Sequence, residues 1–271
     1  MATTAAPRTL PSLVVPVGSI TPYVLVVGDP DRAKHFSERL DGVRQVGRFR
    51  EYHSYQGTWH ATPVTITSHG VGGAGAAIAF EELAQGGAKT VIRLGTCGSF
   101  LPNVRSGGLL IATAAVREDG VSERLVPLSY PAISDPDVTR ALIDSARARP
   151  DVTFGAGVIF TTGVFYPGAI PRNELWRQLP VIGGEMEMAV LAIVGALRGL
   201  RVGGIFTVDG NEESGTDMTG YNPHREVVAQ GKERMIEVAL DAVTRLVAAD
   251  EKNGGGPNGT QPHGNNTRGE A

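Results

Sequence analysis

The sequence is short of cysteine, of aromatic residues and of long apolar runs. Cys97 is the one cysteine in 271 residues, so no disulfide can form within the chain, which is typical of a reducing compartment. No stretch approaches the roughly 20 consecutive apolar residues that a membrane-spanning helix needs. Neither sign of charge dominates, because the formal net charge is -3. We therefore expect neither a nucleic-acid surface nor a basic membrane anchor.

The beginning of the chain also lacks the charged segment and long apolar run of a secretory signal. Together with the single cysteine, this predicts a cytoplasmic protein. Histidines are few and scattered, without the spacing of a metal site, so we expect no metal. What the chain does have is 41% hydrophobic residues, which is enough for a substantial core.

Apolar runs rich in valine, isoleucine and threonine predict strands at 23–28, 63–68, 90–95, 108–113, 153–162 and 202–210. Helical patterns fall between several of them, at 74–86, 136–149, 186–199 and 221–250. Gly86 is expected to cap the first helix. Asn222 is expected to cap the start of the last one, with Pro223 at its first position. This alternation of strands and helices predicts an α/β protein with a largely parallel core sheet.

The two ends of the chain differ from its middle. Residues 251–271 are rich in glycine, asparagine and proline and almost free of apolar residues. Such a segment cannot bury enough surface to order itself, so we predict a disordered tail. We expect one domain over 20–250, preceded by an N-terminal segment at 1–19.

Gly70, Gly72 and Gly75 follow a predicted strand with the spacing G-x-G-x-x-G in "TPVTITSHGVGGAG". A dinucleotide site of this kind needs an acidic residue about twenty positions later. The next strand instead carries Arg93, whose guanidinium suits a phosphate better than a ribose diol. Dinucleotide binding is therefore not expected. The glycines either allow tight strand-to-helix packing or let the backbone run close to a small ligand.

Two further loops have the chemistry of an anion site. "VVGDPDRA" places Gly28 at a strand end and Arg32 in the first turn of a helix, where free N–H groups attract anions. "RLGTCGS" combines Arg93 and the Thr96 hydroxyl with the backbone of Cys97 and Gly98. Each loop alone is equally typical of an ordinary α/β turn. Together, at the ends of separate strands, they indicate a ligand cleft.

Three carboxylates are further candidates. Glu185 and Glu187 precede an apolar helical run in "GGEMEMAVLA". They are either solvated acids favoured by a helix N-terminus or acceptors for a sugar diol. Asp209 ends an apolar strand in "IFTVDGN". It is either a turn former or a proton donor beside a cleft.

These motifs occur in an order that resembles the nucleoside phosphorylase superfamily. The matching pieces span residues 20–246: "VLVVGDPDRA", "REYHSYQG", "SHGVGGAGAAIAFEELAQGGAKTVIRLGTCGS", "AAVREDGVS", "FYPG", "GEMEMA" and "VGGIFTVDGN". The resemblance is greatest to purine nucleoside phosphorylases of the apicomplexan type. It implies a three-layer α/β/α sandwich with a mixed, partly barrel-like central sheet.

The resemblance also implies roles for individual residues. It implies a phosphate site of Gly28, Arg32, Arg50, Arg93 and Thr96, in which Arg50 comes from a neighbouring subunit. It implies a ribose site of Glu185, Met186 and Glu187, and a base site of Val71, Gly98, Phe165 and Asp209. Catalysis would rest on Asp209 and Arg93, with inorganic phosphate as co-substrate, no cofactor and no metal. The expected assembly is a hexamer built as a trimer of dimers.

The implied reaction is phosphate-dependent cleavage of the N-glycosidic bond of a nucleoside. Uridine phosphorylases carry a glutamine and an arginine after "FYPG", where this sequence has Ala169 and Pro171. A site without those groups loses its hydrogen bonds to uracil, which favours purine nucleosides. Residues 1–34 also lack the histidine that relatives use at the 5' position. The alternatives are a uridine phosphorylase, a nucleosidase of the same fold, or a nucleoside-binding protein without activity.

Overall fold

The computed structural model describes residues 8–166, 173–210 and 221–254. Three earlier predictions lie outside these ranges. They concern the part of the predicted tail from residue 255 onward, the start of the N-terminal segment, and the base-selecting positions Ala169 and Pro171. The predicted start of the tail at residue 251 is wrong, because the last helix continues to Lys252.

The described residues form ten strands and six α-helices. The strands are β1 (Tyr23–Val27), β2 (Asp41–Phe49), β3 (Tyr52–Trp59), β4 (Thr62–Ser68), β5 (Thr90–Ser99), β6 (Leu109–Glu118), β7 (Ala132–Ile133), β8 (Phe154–Thr162), β9 (Val181–Glu185) and β10 (Arg201–Gly210). The helices are α1 (Pro30–Ser37), α2 (Gly73–Gly86), α3 (Pro136–Arg147), α4 (Asn173–Arg177), α5 (Met188–Arg198) and α6 (Glu226–Lys252). A short 3-10 helix spans Ser122–Arg124.

The six predicted strands are confirmed as β1, β4, β5, β6, β8 and β10. Two predicted helix caps differ from the structure. Gly86 is the last residue of α2, and Gly87 is the left-handed cap, with φ of 111°. The last helix begins at Glu226 after Arg225, because the Asn222 side chain accepts from the N–H of His224 at 3.0 Å in a local turn instead.

The strands form one mixed sheet that closes partly on itself. Its order is β10-β6-β8-β9-β5-β1-β4-β3-β2, and β10 pairs with β5 as well. The five strands β5, β10, β6, β8 and β9 therefore make a closed ring, while β1 to β4 extend from it as an open sheet. The predicted fold class, with its partly barrel-like central sheet, is confirmed.

Helices cover both faces of this sheet, as β1 illustrates. Val24 and Val26 pack in one buried cluster with α2 and α5. Leu25 and Val27 pack in a second cluster with α1, α3 and α6. Since successive strand residues point to opposite faces, β1 is apolar throughout and buried on both sides. This double burial explains why the sequence pattern of β1 was a continuous apolar run.

Residues 8–20 pack against the domain. Leu10, Leu13 and Val15 are buried in the same cluster as α2. The buried carboxylate of Glu82 on α2 accepts from the N–H groups of Ser12 at 3.0 Å and Leu13 at 2.7 Å. These bonds satisfy backbone donors that the segment buries. Within the part of the chain that the structure describes, no helix is long and apolar enough to cross a membrane.

Helix α6 approaches the sheet closely at Gly231. A Cβ atom on Gly231 would lie 2.5 Å from Cγ2 of Thr207 and 2.8 Å from the Cα of Gly107. The Thr207 hydroxyl also contacts the sulfur of Met235 at 3.6 Å. Gly231 thus brings α6 against the C-terminal half of β10, next to Asp209.

We predict that Gly231→Ala destabilises the protein by about 1–3 kcal/mol, because the added methyl group forces α6 away from β10. An ordinary glycine-to-alanine change inside a helix raises the free energy of unfolding. A decrease here would therefore identify the close contact between α6 and β10. Denaturant unfolding of the variant measures it. Gln230→Ala, at the neighbouring exposed position, is the control; equal stability of both variants would contradict the prediction.

Candidate functional site

The predicted site residues gather at the carboxyl edge of the parallel strands. Thr96 of β5 is paired with Thr207 of β10, and Gly98 with Gly210, so Asp209 lies level with the end of β5. Gly28 directly follows β1, and its carbonyl accepts from the N–H of Gly70 at 3.0 Å. The sheet register therefore brings the three predicted loops to one place, as expected for a ligand cleft in an α/β sheet.

Arg93 lies buried at the centre of this edge. Its Nε donates to Glu185 Oε2 at 3.1 Å, and its Nη2 donates to Glu187 Oε2. Its Nη1 is 2.8 Å from Nε2 of His69. Burial by itself lowers the pKa of Arg93, but Glu187 and Glu185 more than offset this and raise it. The group is thus a permanent cation held by two carboxylates and an imidazole.

Gly95 makes room for this guanidinium. A Cβ atom at Gly95 would lie 2.7 Å from the ring of Phe206 and 3.0 Å from Nη2 of Arg93. The Arg93 guanidinium lies 5.5 Å from the centre of the same ring, at the distance of a cation–π contact. Any larger residue at position 95 would displace the arginine.

The Glu185 carboxylate is fully engaged by the protein. One oxygen accepts from the Thr161 hydroxyl at 2.6 Å, and the other from the N–H of Glu187 at 2.8 Å. The N–H of Met188 also donates to it at 2.9 Å. Glu185 therefore caps the N-terminus of α5 and pairs with Arg93. Its expected ribose contact stays a prediction, while these contacts show a supporting role.

Glu187 lies against the glycine-rich loop. Its Oε1 accepts from the N–H of Gly72 at 2.5 Å. Gly70 and Gly72 have φ of 76° and 91°, which other residues seldom adopt. Val71 between them is 79% exposed. Burial raises the pKa of Glu187, while Arg93 opposes that shift. The glycine-rich loop therefore places its backbone next to the Glu187 carboxylate, while the Val71 side chain is exposed to solvent.

His69 holds Arg93 from the opposite side. Burial and the neighbouring Arg93 place the pKa of His69 well below its usual value, so the ring is neutral. Its Nε2 then accepts from Arg93, which leaves the proton on Nδ1.

Arg32 lies near Arg93 but keeps its donors free. It sits in the first turn of α1 and makes no hydrogen bond or ion pair within the described ranges. Burial lowers its pKa, Asp29 opposes this, and Arg93 lowers it further by repulsion. Two guanidinium groups this close favour an anion between them. Their expected contact with one phosphate stays a prediction.

Asp209 is buried near the end of β10 and has two side-chain donors. The Tyr221 hydroxyl donates to its Oδ2 at 2.8 Å, and the Thr96 hydroxyl hydrogen-bonds to it as well. Burial raises the pKa of Asp209, although both hydrogen bonds, Lys232 and Arg32 act in the other direction. A carboxyl with a raised pKa retains its proton closer to neutral pH, as a general acid requires.

The remaining predicted residues surround this centre or lie apart from it. Phe165 is 45% exposed, with its ring centre 5.5 Å from that of Tyr221. Met186 is half-buried between the two glutamates. Arg50 lies at the tip of the β2–β3 hairpin with φ of 50°. It is exposed, with its guanidinium over the Phe49 ring, 5.2 Å from the centroid.

Sequence reasoning missed Tyr221 and Lys232. Tyr221 reaches Asp209 from a polar segment that has no apolar periodicity. Lys232 follows Gly231 on α6 and lies near Arg32 and Asp209, since both affect its pKa, which burial lowers. A lysine beside a glycine on an otherwise apolar helix face was the available signal for the second residue. For Tyr221 the sequence offered none.

No three histidine, cysteine, aspartate or glutamate residues in the described parts of the chain are arranged to hold a metal ion. The expectation that neither metal nor cofactor is needed stays a prediction.

We predict that Glu185→Gln destabilises the protein by about 3 kcal/mol, because it leaves Arg93 buried with one of its two carboxylates missing. Thermal or denaturant unfolding measures the change. Glu81→Gln is the matched control, since Glu81 pairs with Arg198 at 2.6 Å on the surface and such pairs contribute less than about 1 kcal/mol. Similar losses in the two variants would show that the Arg93 network does not stabilise the fold.

The chain is similar to known proteins along most of its length. Residues 22–245 match the family model described as Phosphorylase superfamily. It is 38% identical over 233 residues to a purine nucleoside phosphorylase of Plasmodium falciparum, covering 84% of this chain and 92% of the relative. It is 36% identical over 248 residues to a uridine phosphorylase of Thermococcus kodakarensis, covering 87% and 86%.

A solved structure agrees with this. The crystal structure of purine nucleoside phosphorylase from Toxoplasma gondii in complex with immucillin-H has a TM-score of 0.83 and 31% sequence identity, covering 90% of this chain and 98% of that one. The resemblance that the motifs indicated is thereby confirmed. The chain belongs to the Phosphorylase superfamily.

Proposed function

We propose that this protein is a nucleoside phosphorylase that acts on purine nucleosides. It cleaves the N-glycosidic bond with orthophosphate and releases the free base and (deoxy)ribose 1-phosphate. The observation that carries the proposal is a buried aspartate with a raised pKa, Asp209, close to Arg32, which has no hydrogen-bond or ion-pair partner among the residues that the structure describes. Asp209 can protonate the departing base, and Arg32 can bind the attacking anion.

Orthophosphate binds between Arg32 and Arg93. Arg32 has no partner in the described ranges, and the repulsion from Arg93 is relieved when an anion enters. The backbone N–H groups at the N-terminus of α1 add uncharged donors. Gly28 has no side chain, so the anion can approach the backbone at this position.

The ribose binds over Glu187. This carboxylate is fixed by Arg93 and by the N–H of Gly72, so it accepts hydrogen bonds from the sugar hydroxyls without first reorganising. Met186, half-buried next to it, supplies an apolar contact to the sugar. Glu185 supports both by holding Arg93 and the start of α5.

In the reaction the bond between the anomeric carbon and the base nitrogen breaks, and an orthophosphate oxygen bonds to that carbon. Negative charge passes to the base in the transition state. Asp209 gives its proton to N7 of the purine and regains one from solvent afterwards. This step favours purine substrates, because uracil has no N7 in that position.

Two alternatives compete with this proposal, and one of them has specific support. Relatives named as uridine phosphorylase are similar to this chain, so uridine is the competing substrate. A nucleosidase needs no arginines for phosphate, and the free donors of Arg32 argue against it.

The assembly, the co-substrate and the location are parts of the same proposal. The exposed Arg50 at a hairpin tip supports a hexamer built as a trimer of dimers, in which it completes a neighbour's phosphate site. Orthophosphate is the co-substrate, and no further cofactor takes part. The buried single cysteine fits a cytoplasmic location.

We predict that the purified protein cleaves inosine faster than uridine, and only when phosphate is present. Base release from each nucleoside, with and without phosphate, is followed by absorbance or chromatography. Faster cleavage of uridine would replace the purine assignment by the uridine alternative. Equal rates without phosphate would identify a nucleosidase, and no cleavage at all would leave a binding protein.

We predict that Arg32→Met raises the KM for phosphate by about 10-fold or more, because a charge-assisted hydrogen bond contributes roughly 1.5–3 kcal/mol. The KM for inosine changes much less, since Arg32 faces the anion. Steady-state kinetics with each substrate varied in turn separates the two constants. Lys34→Met removes an exposed cation from the same helix and is the control. An equal rise in the KM for phosphate there would mean that the positive charge of the region, without a direct contact from Arg32, determines the KM.

A further inference from the structure

We infer that Tyr221 is a positioning residue of this site, whose hydroxyl holds the Asp209 carboxyl in the orientation that delivers its proton to the base. The inference rests on the proposed function and goes one step beyond it. Tyr221 lies before α6, in a segment with no match to the motifs that indicated the family.

The contact is direct and has a counterpart. Tyr221 donates to Oδ2 of Asp209 at 2.8 Å from outside the sheet, while Thr96 reaches the same carboxyl from the neighbouring strand β5. The Tyr221 hydrogen bond restricts the rotation of the carboxyl group, and the nearby Thr96 hydroxyl also stabilises its ionised form. A proton donor that is fixed in this way loses little entropy when the transition state forms.

Tyr221 is an orienting group and no source of the proton. Burial, followed by the neighbouring Asp209, raises its pKa well above the ordinary value. The hydroxyl therefore keeps its proton throughout the neutral range and acts as a donor to Asp209. The proton that reaches the base comes from Asp209 itself.

The ring of Tyr221 links the acid to the wall of the base pocket. Its centre lies 5.5 Å from that of Phe165, with the planes at 66°. Phe165 also meets Tyr166 edge-on at 5.1 Å. A base that packs on the partly exposed Phe165 therefore contacts the ring next to Tyr221, and Tyr221 orients Asp209.

The charge around Asp209 fixes the sign of the pH effect. The groups that face it are Arg32 from α1, Thr96 and Cys97 from β5, Lys232 from α6, and Tyr221 and Arg225 from the segment before α6. Burial raises the pKa of Asp209, and the Tyr221 hydrogen bond is the foremost opposing effect. Removing that bond raises the pKa further. Activity that requires protonated Asp209 then persists to higher pH.

The test is Tyr221→Phe, which keeps the ring and deletes the donor. We expect kcat for inosine to fall about 10-fold, the equivalent of about 1.4 kcal/mol, while the KM for phosphate stays within about twofold of wild type. The alkaline limb of the kcat profile moves to higher pH. Tyr130→Phe, at an exposed tyrosine, is the control and leaves kcat, KM and the pH profile unchanged.

Two further variants make the outcome decisive. In an Asp209→Asn background, Tyr221→Phe has no additional effect on kcat, because the two residues act as one unit. Tyr221→Leu also removes the ring and raises the KM for inosine. An unchanged pH limb and kcat in Tyr221→Phe, with wild type active, would overturn the inference alone. Inactive wild type would overturn the proposed function.

Discussion

The site depends on one buried cation. Arg93 lies on a central strand, where its charge is stable only because Glu185 and Glu187 accompany it. Burying a charged group costs several kcal/mol of desolvation free energy, which the interactions with its partners must offset. Each carboxylate also accepts a second hydrogen bond. Glu185 accepts from the N–H of Met188 at the start of α5, and Glu187 accepts from the N–H of Gly72. One charge thus joins a strand, a helix start and a loop.

The two arginines of the site differ in how the protein holds them. Arg32 makes no hydrogen bond or ion pair with the described residues, whereas Arg93 is already engaged by three side chains. A preorganised site avoids reorganisation when the ligand arrives, at the cost of burying charge in its absence. The neutral His69 fits this view, because a second positive charge beside Arg93 would be repelled.

Sequence patterns were sufficient for the strands that are buried on both faces, since these are continuous apolar runs. They failed for β2, which is polar and exposed, and for β9, which is short and carries two glycines. At the site, residues at strand ends such as Asp209 were found because register brings strand ends together. Tyr221 was not found, because its contact with Asp209 depends on how a polar segment folds back, which no periodicity records.

The ring closure of β10 has a consequence for how this enzyme can change. β10 is hydrogen-bonded to β5 on one side and to β6 on the other up to Thr207, and the β5 pairing shifts register between Val208 and Gly210. Asp209 therefore lies at an irregularity directly after a stretch of strand that is held on both sides. The rings of Phe165 and Tyr221 come from outside that closed frame. Under the proposed function, substitutions at Phe165 can change which base is accepted without disturbing the strand that carries Asp209 or the Tyr221 hydroxyl that orients it.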